Sequence, residues 1–187
     1  MTDAERSAPE RVRISRLQEI QIPALVKLDR ACSEMYYELG FDGAEVPART
    51  SDDFYRLPKN HAVRVAEADG EVAGYIAYRD EAPGVIYIEE LSVLPELQRF
   101  GIATRLLERA VEEIRELGLE HVVLCTWERA VWAAAFYAKR GFRELDEGAP
   151  EPVREWLELK REGGRPYPKP GVRVLYWTIP AAAVDED

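Results

Sequence analysis

Hydrophobic positions recur along this chain at two periods, and the switches between them mark the elements. Val12 and Ile14, with Leu17 close behind, alternate with polar residues and predict a first strand. From Gln18 to Leu39 the apolar set Ile22, Leu25, Val26, Leu28, Ala31, Cys32, Met35, Tyr36 and Leu39 has helical spacing, and Gly40 ends it. Ser51 suits the N-cap of a short helix through Tyr55, closed by Pro58. Ala62 to Ala68 alternates as a strand, Asp69-Gly70 is a hairpin signal, and Glu71 to Tyr78 returns antiparallel. A turn at Ala82-Pro83-Gly84 leads into a third strand over 85–93, rich in β-branched and aromatic residues. Ile102, Leu106, Ala110, Val111, Ile114 and Leu117 then fall on one helix face, and Gly118 stops that helix. His121 to Trp127 is a strand, Phe136 to Phe142 closes a second helix, and a short strand runs to Leu145. Pro150 and Pro152 open a helix carrying Val153, Trp156, Leu157 and Leu159. A Gly/Pro-rich loop over 163–171 precedes a last strand from Val172 to Ile179. A strand meander followed by strand–helix–strand–helix predicts a mixed α/β sheet.

The stretch from Val85 to Gly118 carries the chemistry. A strand ends, the chain turns at Gln98-Arg99-Phe100-Gly101-Ile102-Ala103, and a helix begins. The first four N–H groups of a helix lack intrahelical partners, and the helix dipole makes that end attractive to anions. Gly101 permits close backbone approach and Ala103 is nearly as small, so the turn predicts phosphate binding. Two acids, Glu89 and Glu90, stand in the strand just before it.

Composition narrows the class. The 187 residues are enough for one domain with a sizeable core: a polar tail over 1–10, a single domain over 11–180 and an acidic tail over 181–187. The formal net charge of −10 argues against nucleic acid and fits a cationic small-molecule partner better. No apolar run is long enough for a membrane span, and the first residues hold no apolar signal core. Two cysteines make no disulfide framework, so a reducing cytoplasm is the expected compartment. Cys125 sits mid-strand and reads as a buried apolar cysteine. His61 and His121 have no motif partner for metal or triad work.

The residues now resemble a known family. Gln98, Gly101 and Ala103 match the Gln/Arg-x-x-Gly-x-Gly/Ala pyrophosphate turn of the GNAT superfamily of acyl-CoA-dependent N-acetyltransferases. Tyr137, Gly141 and Phe142 match its Tyr-x-x-x-Gly-Phe signature, and Glu-Glu-Leu-Ser-Val is similar to its central strand. The resemblance is closest over residues 84–145. It implies a GNAT-like, mainly antiparallel sheet of six or seven strands flanked by helices. It also implies acetyl transfer from acetyl-CoA to a primary amine in a ternary complex, with no metal, in a monomer or homodimer.

On that resemblance the cosubstrate is held by Leu91, Val93, Gln98, Arg99, Phe100, Gly101, Ile102, Ala103 and Thr104, and a main-chain N–H near Val93 polarises the thioester. Glu89 is the expected base through a water, with Glu90 on the opposite face of the strand, and Tyr137 is the expected acid. Tyr36, Tyr37 and Glu90 are candidates at the acceptor. The surrounding acids Glu34, Glu38, Asp42, Glu45, Asp52 and Asp53 outnumber Arg49 and Arg56 there, which predicts an acceptor with extra positive charge. Ala130 stands where many relatives carry Asn, and Trp132-Ala133 where a subset carries Trp-Asn, so the resemblance implies one fewer polar contact to the cosubstrate. Two other classes stay open at this point: a dinucleotide-dependent oxidoreductase and a non-catalytic CoA-binding or sensing module.

Overall fold

Strand alternation and helical spacing produce the elements along the chain. The structure, a computed structural model, describes residues 7–162 and 167–180. The first six residues of the expected N-terminal tail, loop residues 163–166 and the expected acidic tail over 181–187 lie outside the described residues. The elements are β1 (Val12–Arg16), α1 (Ile22–Tyr37), α2 (Ser51–Arg56), β2 (Ala62–Ala68), β3 (Glu71–Ala82), β4 (Val85–Val93), α3 (Ile102–Glu116), β5 (His121–Trp127), α4 (Val131–Ala138), β6 (Arg143–Glu144), α5 (Glu151–Glu162) and β7 (Val172–Thr178). The seven strands follow the order β1-β2-β3-β4-β5-β7-β6. β4 and β5 are parallel, while β1–β2, β2–β3, β5–β7 and β6–β7 are antiparallel, as the mixed reading expects.

Local chemistry moves several boundaries. The first helix begins later than its apolar spacing predicts. Glu19–Gln21 forms a 3-10 turn, and Pro23, which has no N–H to donate, stands in the first turn of α1. Thr50, not Ser51, caps α2: its hydroxyl accepts from the Asp53 amide, and the Asp53 carboxylate accepts from the Thr50 amide at 2.8 Å. Leu117, expected on the apolar face of α3, is instead 66% exposed, just past the helix end at Glu116.

The chain divides into two compact units, residues 7–79 with 89–110, and residues 80–88 with 111–180. In the first unit Ile22, Leu25 and Leu28 of α1 pack with Phe54, Val63, Val65 and Tyr75. In the second, Val153, Trp156 and Leu157 of α5 pack with Val85, Val123, Val174 and Tyr176. Fully burying one such side chain contributes about 1.5–3 kcal/mol.

Candidate active site

The pairing of β4 changes partway along it. Val85–Ile88 pair with His121–Leu124, and no β5 partner continues for Glu89–Val93 among the described residues. The Leu94 amide donates to the Ala73 carbonyl at 2.9 Å, so Leu94 faces β3. Alternation along a strand then turns the backbone groups of Leu91 and Val93 to the opposite edge. Gly74 allows this close pairing: a Cβ there would sit 2.7 Å from the Ser92 carbonyl oxygen and 3.0 Å from Val93 Cγ2. On the far edge, the Val93 carbonyl accepts from Gln98 Nε2 at 3.1 Å and from Cys32 Sγ at 3.4 Å. Gln98 Nε2 also lies 3.3 Å from Met35 Sδ, so this amide faces α1 and the strand end.

Pro95–Leu97 forms a 3-10 turn that returns the chain to the strand end. Arg99 and Gly101 then adopt left-handed backbone conformations, φ 71° and 81°. Glycine tolerates that region; an arginine there is strained by about 1–2 kcal/mol. The ladder of α3 begins with the Arg105 amide donating to the Gly101 carbonyl at 3.1 Å, so the amides of Ile102 and Ala103 precede it. A Cβ built on Gly101 would meet nothing within 4 Å. Open space, bare first-turn amides and a left-handed glycine are what a diphosphate needs, so these residues fit the group that the motif implies.

A charged network forms beneath the strand acids. Asp29 on α1 is only 4% exposed. It accepts from the Tyr75 hydroxyl at 2.6 Å and from the Arg49 amide at 2.6 Å. The Arg49 guanidinium meets Glu90 at 2.9 Å, the Tyr75 hydroxyl oxygen at 3.2 Å and Asp29 at 3.5 Å. Its second terminal nitrogen lies 3.8 Å from Glu89. Strand parity separates Glu89 from Glu90, yet one arginine reaches both. Burial works against the charge of Arg49, and Tyr75, Glu90 and Asp29 more than restore it, leaving its pKa raised. Glu90 also accepts from the Ser92 hydroxyl at 2.8 Å.

Glu89 Oε2 pairs with Arg79, whose guanidinium donates to His61 Nε2 at 2.8 Å. His61 Nδ1 lies 3.1 Å from the Leu57 carbonyl. A carbonyl only accepts and a guanidinium only donates, which assigns the proton to Nδ1 and the lone pair to Nε2. His61 therefore has partners that its sequence position did not reveal.

Of the acceptor candidates, Tyr36 is half-buried; burial, and then the charge of Glu90, push its hydroxyl up to about 12. Tyr37 is exposed and donates to the Val46 carbonyl at 3.4 Å. The loop acids serve local turns. Asp42 accepts from the amides of Ala44 and Glu45 at 2.8 and 2.9 Å, Glu45 accepts from the Asp42 amide at 3.1 Å, and Asp53 caps α2.

In the second unit Tyr137 is 8% exposed, edge-on to Phe136 and Phe142 at 5.1 and 5.2 Å. Gly141 ends the helix with φ 90°, and a Cβ there would lie 2.8 Å from Trp177 Nε1. That close approach explains the glycine of the signature. Ala130 is fully buried and offers no side-chain cap to α4. Cys125 departs from the expected buried apolar cysteine: it is half-buried, with its sulfur 3.0 Å from the Tyr167 hydroxyl. Among the described residues no cluster could hold a metal ion, and no helix is long and apolar enough to cross a membrane.

Asp29, Arg49, Tyr75, Arg79 and His61 carry no motif. Asp29 alone left a trace, as an acid four residues after Leu25 and three before Cys32 on the apolar face of α1.

Comparison with known proteins agrees with this geometry. The sequence profile of the Acetyltransferase (GNAT) family matches residues 23–142. The uncharacterized N-acetyltransferase YjgM of Escherichia coli is 27% identical over 144 residues, covering 74% of this chain and 86% of the relative. An N-alpha-acetyltransferase of Sulfurisphaera tokodaii is 27% identical over 157 residues, covering 76% and 86%. Among solved structures, the PaiA N-acetyltransferase of Thermoplasma acidophilum in complex with coenzyme A superposes with a TM-score of 0.69 at 15% identity, over 90% of this chain and 99% of that one. With its half-paired central strand, its left-handed glycine turn and its profile match, the chain belongs to the GNAT acetyltransferase family.

Proposed function

We propose that this protein transfers an acetyl group from acetyl-CoA directly to a primary amine. The observation that supports it most is the run from β4 into α3: strand amides at Leu91 and Val93 without a β5 partner, then Gly101 at φ 81° with open space above it. The cosubstrate supplies an activated acetyl group. The amides around Arg99 to Thr104 would hold its diphosphate, and an amide at the end of β4 would polarise its carbonyl.

The amine must lose a proton to attack, and the departing sulfur must gain one. Glu89 is the group assigned to the first task. Its Oε2 is held by Arg79, and its Oε1, 3.8 Å from Arg49, is the oxygen a bridging water would meet. Tyr137 is assigned the second: the C–S bond breaks, and the phenol proton goes to sulfur. Among the described contacts, Asp29, Glu89 and Glu90 face Arg49 and Arg79, three carboxylates to two guanidinium groups. That balance favours an acceptor arriving as an ammonium ion.

Calorimetry with acetyl-CoA, followed by thiol release with a panel of amines, tests the reading. Wild type should bind acetyl-CoA and release thiol with at least one amine. Gly101→Val places a branched side chain in a left-handed position over the turn, and binding should be lost. Retained affinity in Gly101→Val would remove the 98–104 turn from the site.

A further inference from the structure

The Val93 carbonyl receives two side-chain donors from different parts of the chain, and nothing in the reaction scheme above uses them. Gln98 comes from the start of the diphosphate turn, and its Nε2 reaches the carbonyl at 3.1 Å. Cys32 comes from the buried face of α1, and its Sγ reaches the same oxygen at 3.4 Å. The two amide protons of Gln98 have directions to the Val93 oxygen and to Met35 Sδ at 3.3 Å, so this group braces α1 as well. The carbonyl and the amide of Val93 leave the strand on the same edge, because alternation assigns both groups of one residue to one side. The Val93 carbonyl lies in the peptide plane after the residue and its amide in the plane before it, so holding the carbonyl narrows the Val93 backbone torsions and restrains the amide beside it. Here that edge lacks the strand partner that would normally set it. The donor geometry differs in strength: an amide N–H at 3.1 Å is a full hydrogen bond, while a thiol is a weak donor.

The same contact joins two binding elements. Gln98 immediately precedes Arg99 and Gly101, whose left-handed backbones shape the turn. A side-chain bond from Gln98 to Val93 closes the path over the Pro95–Leu97 turn into a ring. It sets how far the strand-end amide stands from the diphosphate amides.

We infer that Gln98, supported by Cys32, is a positioning residue that orients the strand-end amide of Val93 toward the acyl carbonyl, rather than a ligand of the cosubstrate. The inference rests on the acetyl-CoA reading, and its test separates the two. The probe is acetyl-CoA carrying a 13C label in the acetyl carbonyl, bound to purified protein and followed by infrared difference spectroscopy. A hydrogen bond to that carbonyl lowers its stretching frequency, and the measurement needs no acceptor amine. Gln98→Met keeps the length and removes the donor; Gln98→Lys restores a donor at similar reach; Cys32→Ala removes the weaker one.

Wild type should show the bound carbonyl displaced to lower frequency than in solution. Gln98→Met should lose most of that displacement, while acetyl-CoA affinity by calorimetry changes less than about threefold. Gln98→Lys should recover part of it, and Cys32→Ala should lose a smaller part. With a working acceptor, kcat should fall roughly tenfold to 10²-fold in Gln98→Met with KM for acetyl-CoA little changed, as expected when a bound group is misplaced by up to about 1 Å. Thermal unfolding reports whether each variant is folded; if Gln98→Met is not, the Gln98→Lys and Cys32→Ala spectra decide. A Gln98→Met spectrum identical to wild type overturns the positioning role, as does a Gln98→Lys spectrum no closer to wild type than that of Gln98→Met. So does an affinity loss beyond about tenfold with the spectrum of the residual complex unchanged, since that marks a ligand. No binding by wild type would remove the acetyl-CoA reading itself, and this inference with it.

Discussion

Asp29 is the group whose removal should reveal most about the charged network. It is 4% exposed and accepts two short hydrogen bonds, from the Tyr75 hydroxyl and the Arg49 amide, both at 2.6 Å. Asp29→Ala would leave both donors without their acceptor in a buried setting. An orphaned buried polar group costs about 1–3 kcal/mol. The Arg49 side chain is buffered, because its shorter ion pair is to Glu90 at 2.9 Å and not to Asp29 at 3.5 Å. The two orphans therefore set the scale, and the expected loss is about 3 kcal/mol. For a chain of this size each kcal/mol lowers Tm by about 2–4 °C, so Tm should drop by roughly 6–12 °C. Urea unfolding followed by fluorescence measures it, with the m-value unchanged. Tyr75→Phe supplies the control. Alone it should cost about 1 kcal/mol, and in Asp29→Ala it should cost almost nothing, since the hydroxyl has already lost its acceptor. A loss below about 1 kcal/mol for Asp29→Ala, or additive costs in the double variant, would refute the account of Asp29 as the buried acceptor of Tyr75 and the Arg49 amide.

Tyr137→Phe keeps the edge-on ring contacts and deletes the phenol proton, so turnover should fall roughly 10²-fold while Tm moves little; an unchanged rate would leave Tyr137 as packing between Phe136 and Phe142. For Cys32, burial and then the charge of Glu90 push the thiol up to about 12. A raised folded-state pKa favours the protonated form, so its contribution to stability is complete below the ordinary thiol value of about 8.5 and is lost as pH climbs toward about 12. The unfolding free energy of wild type relative to Cys32→Ala should therefore decline from pH 8 toward pH 11, roughly a span of 3 units; a difference that stays flat would refute the burial argument.

The features legible along the chain are those governed by near neighbours. Alternation, helical spacing and turn chemistry lie within a few residues of one another. Strand β5 therefore appears where its pattern puts it, and the Asp69-Gly70 hairpin joins β2 to β3. Gly101 and Gly141 were legible because their neighbours demand backbone conformations that few other residues tolerate. The two signatures that carry them also identified the family. Contacts made across long stretches of chain left no such local signal. Asp29, Arg49, Tyr75 and Glu90 come from two helix-proximal segments and two strands, and no local period links them. His61 gained its Arg79 partner from β3 in the same way. The inward turn of Gln98 was hidden for a different reason. A motif fixes which residue stands at the turn, but the side chain settles on whichever acceptor folding leaves unpaired, and that acceptor is a carbonyl on a strand edge whose pairing stops short.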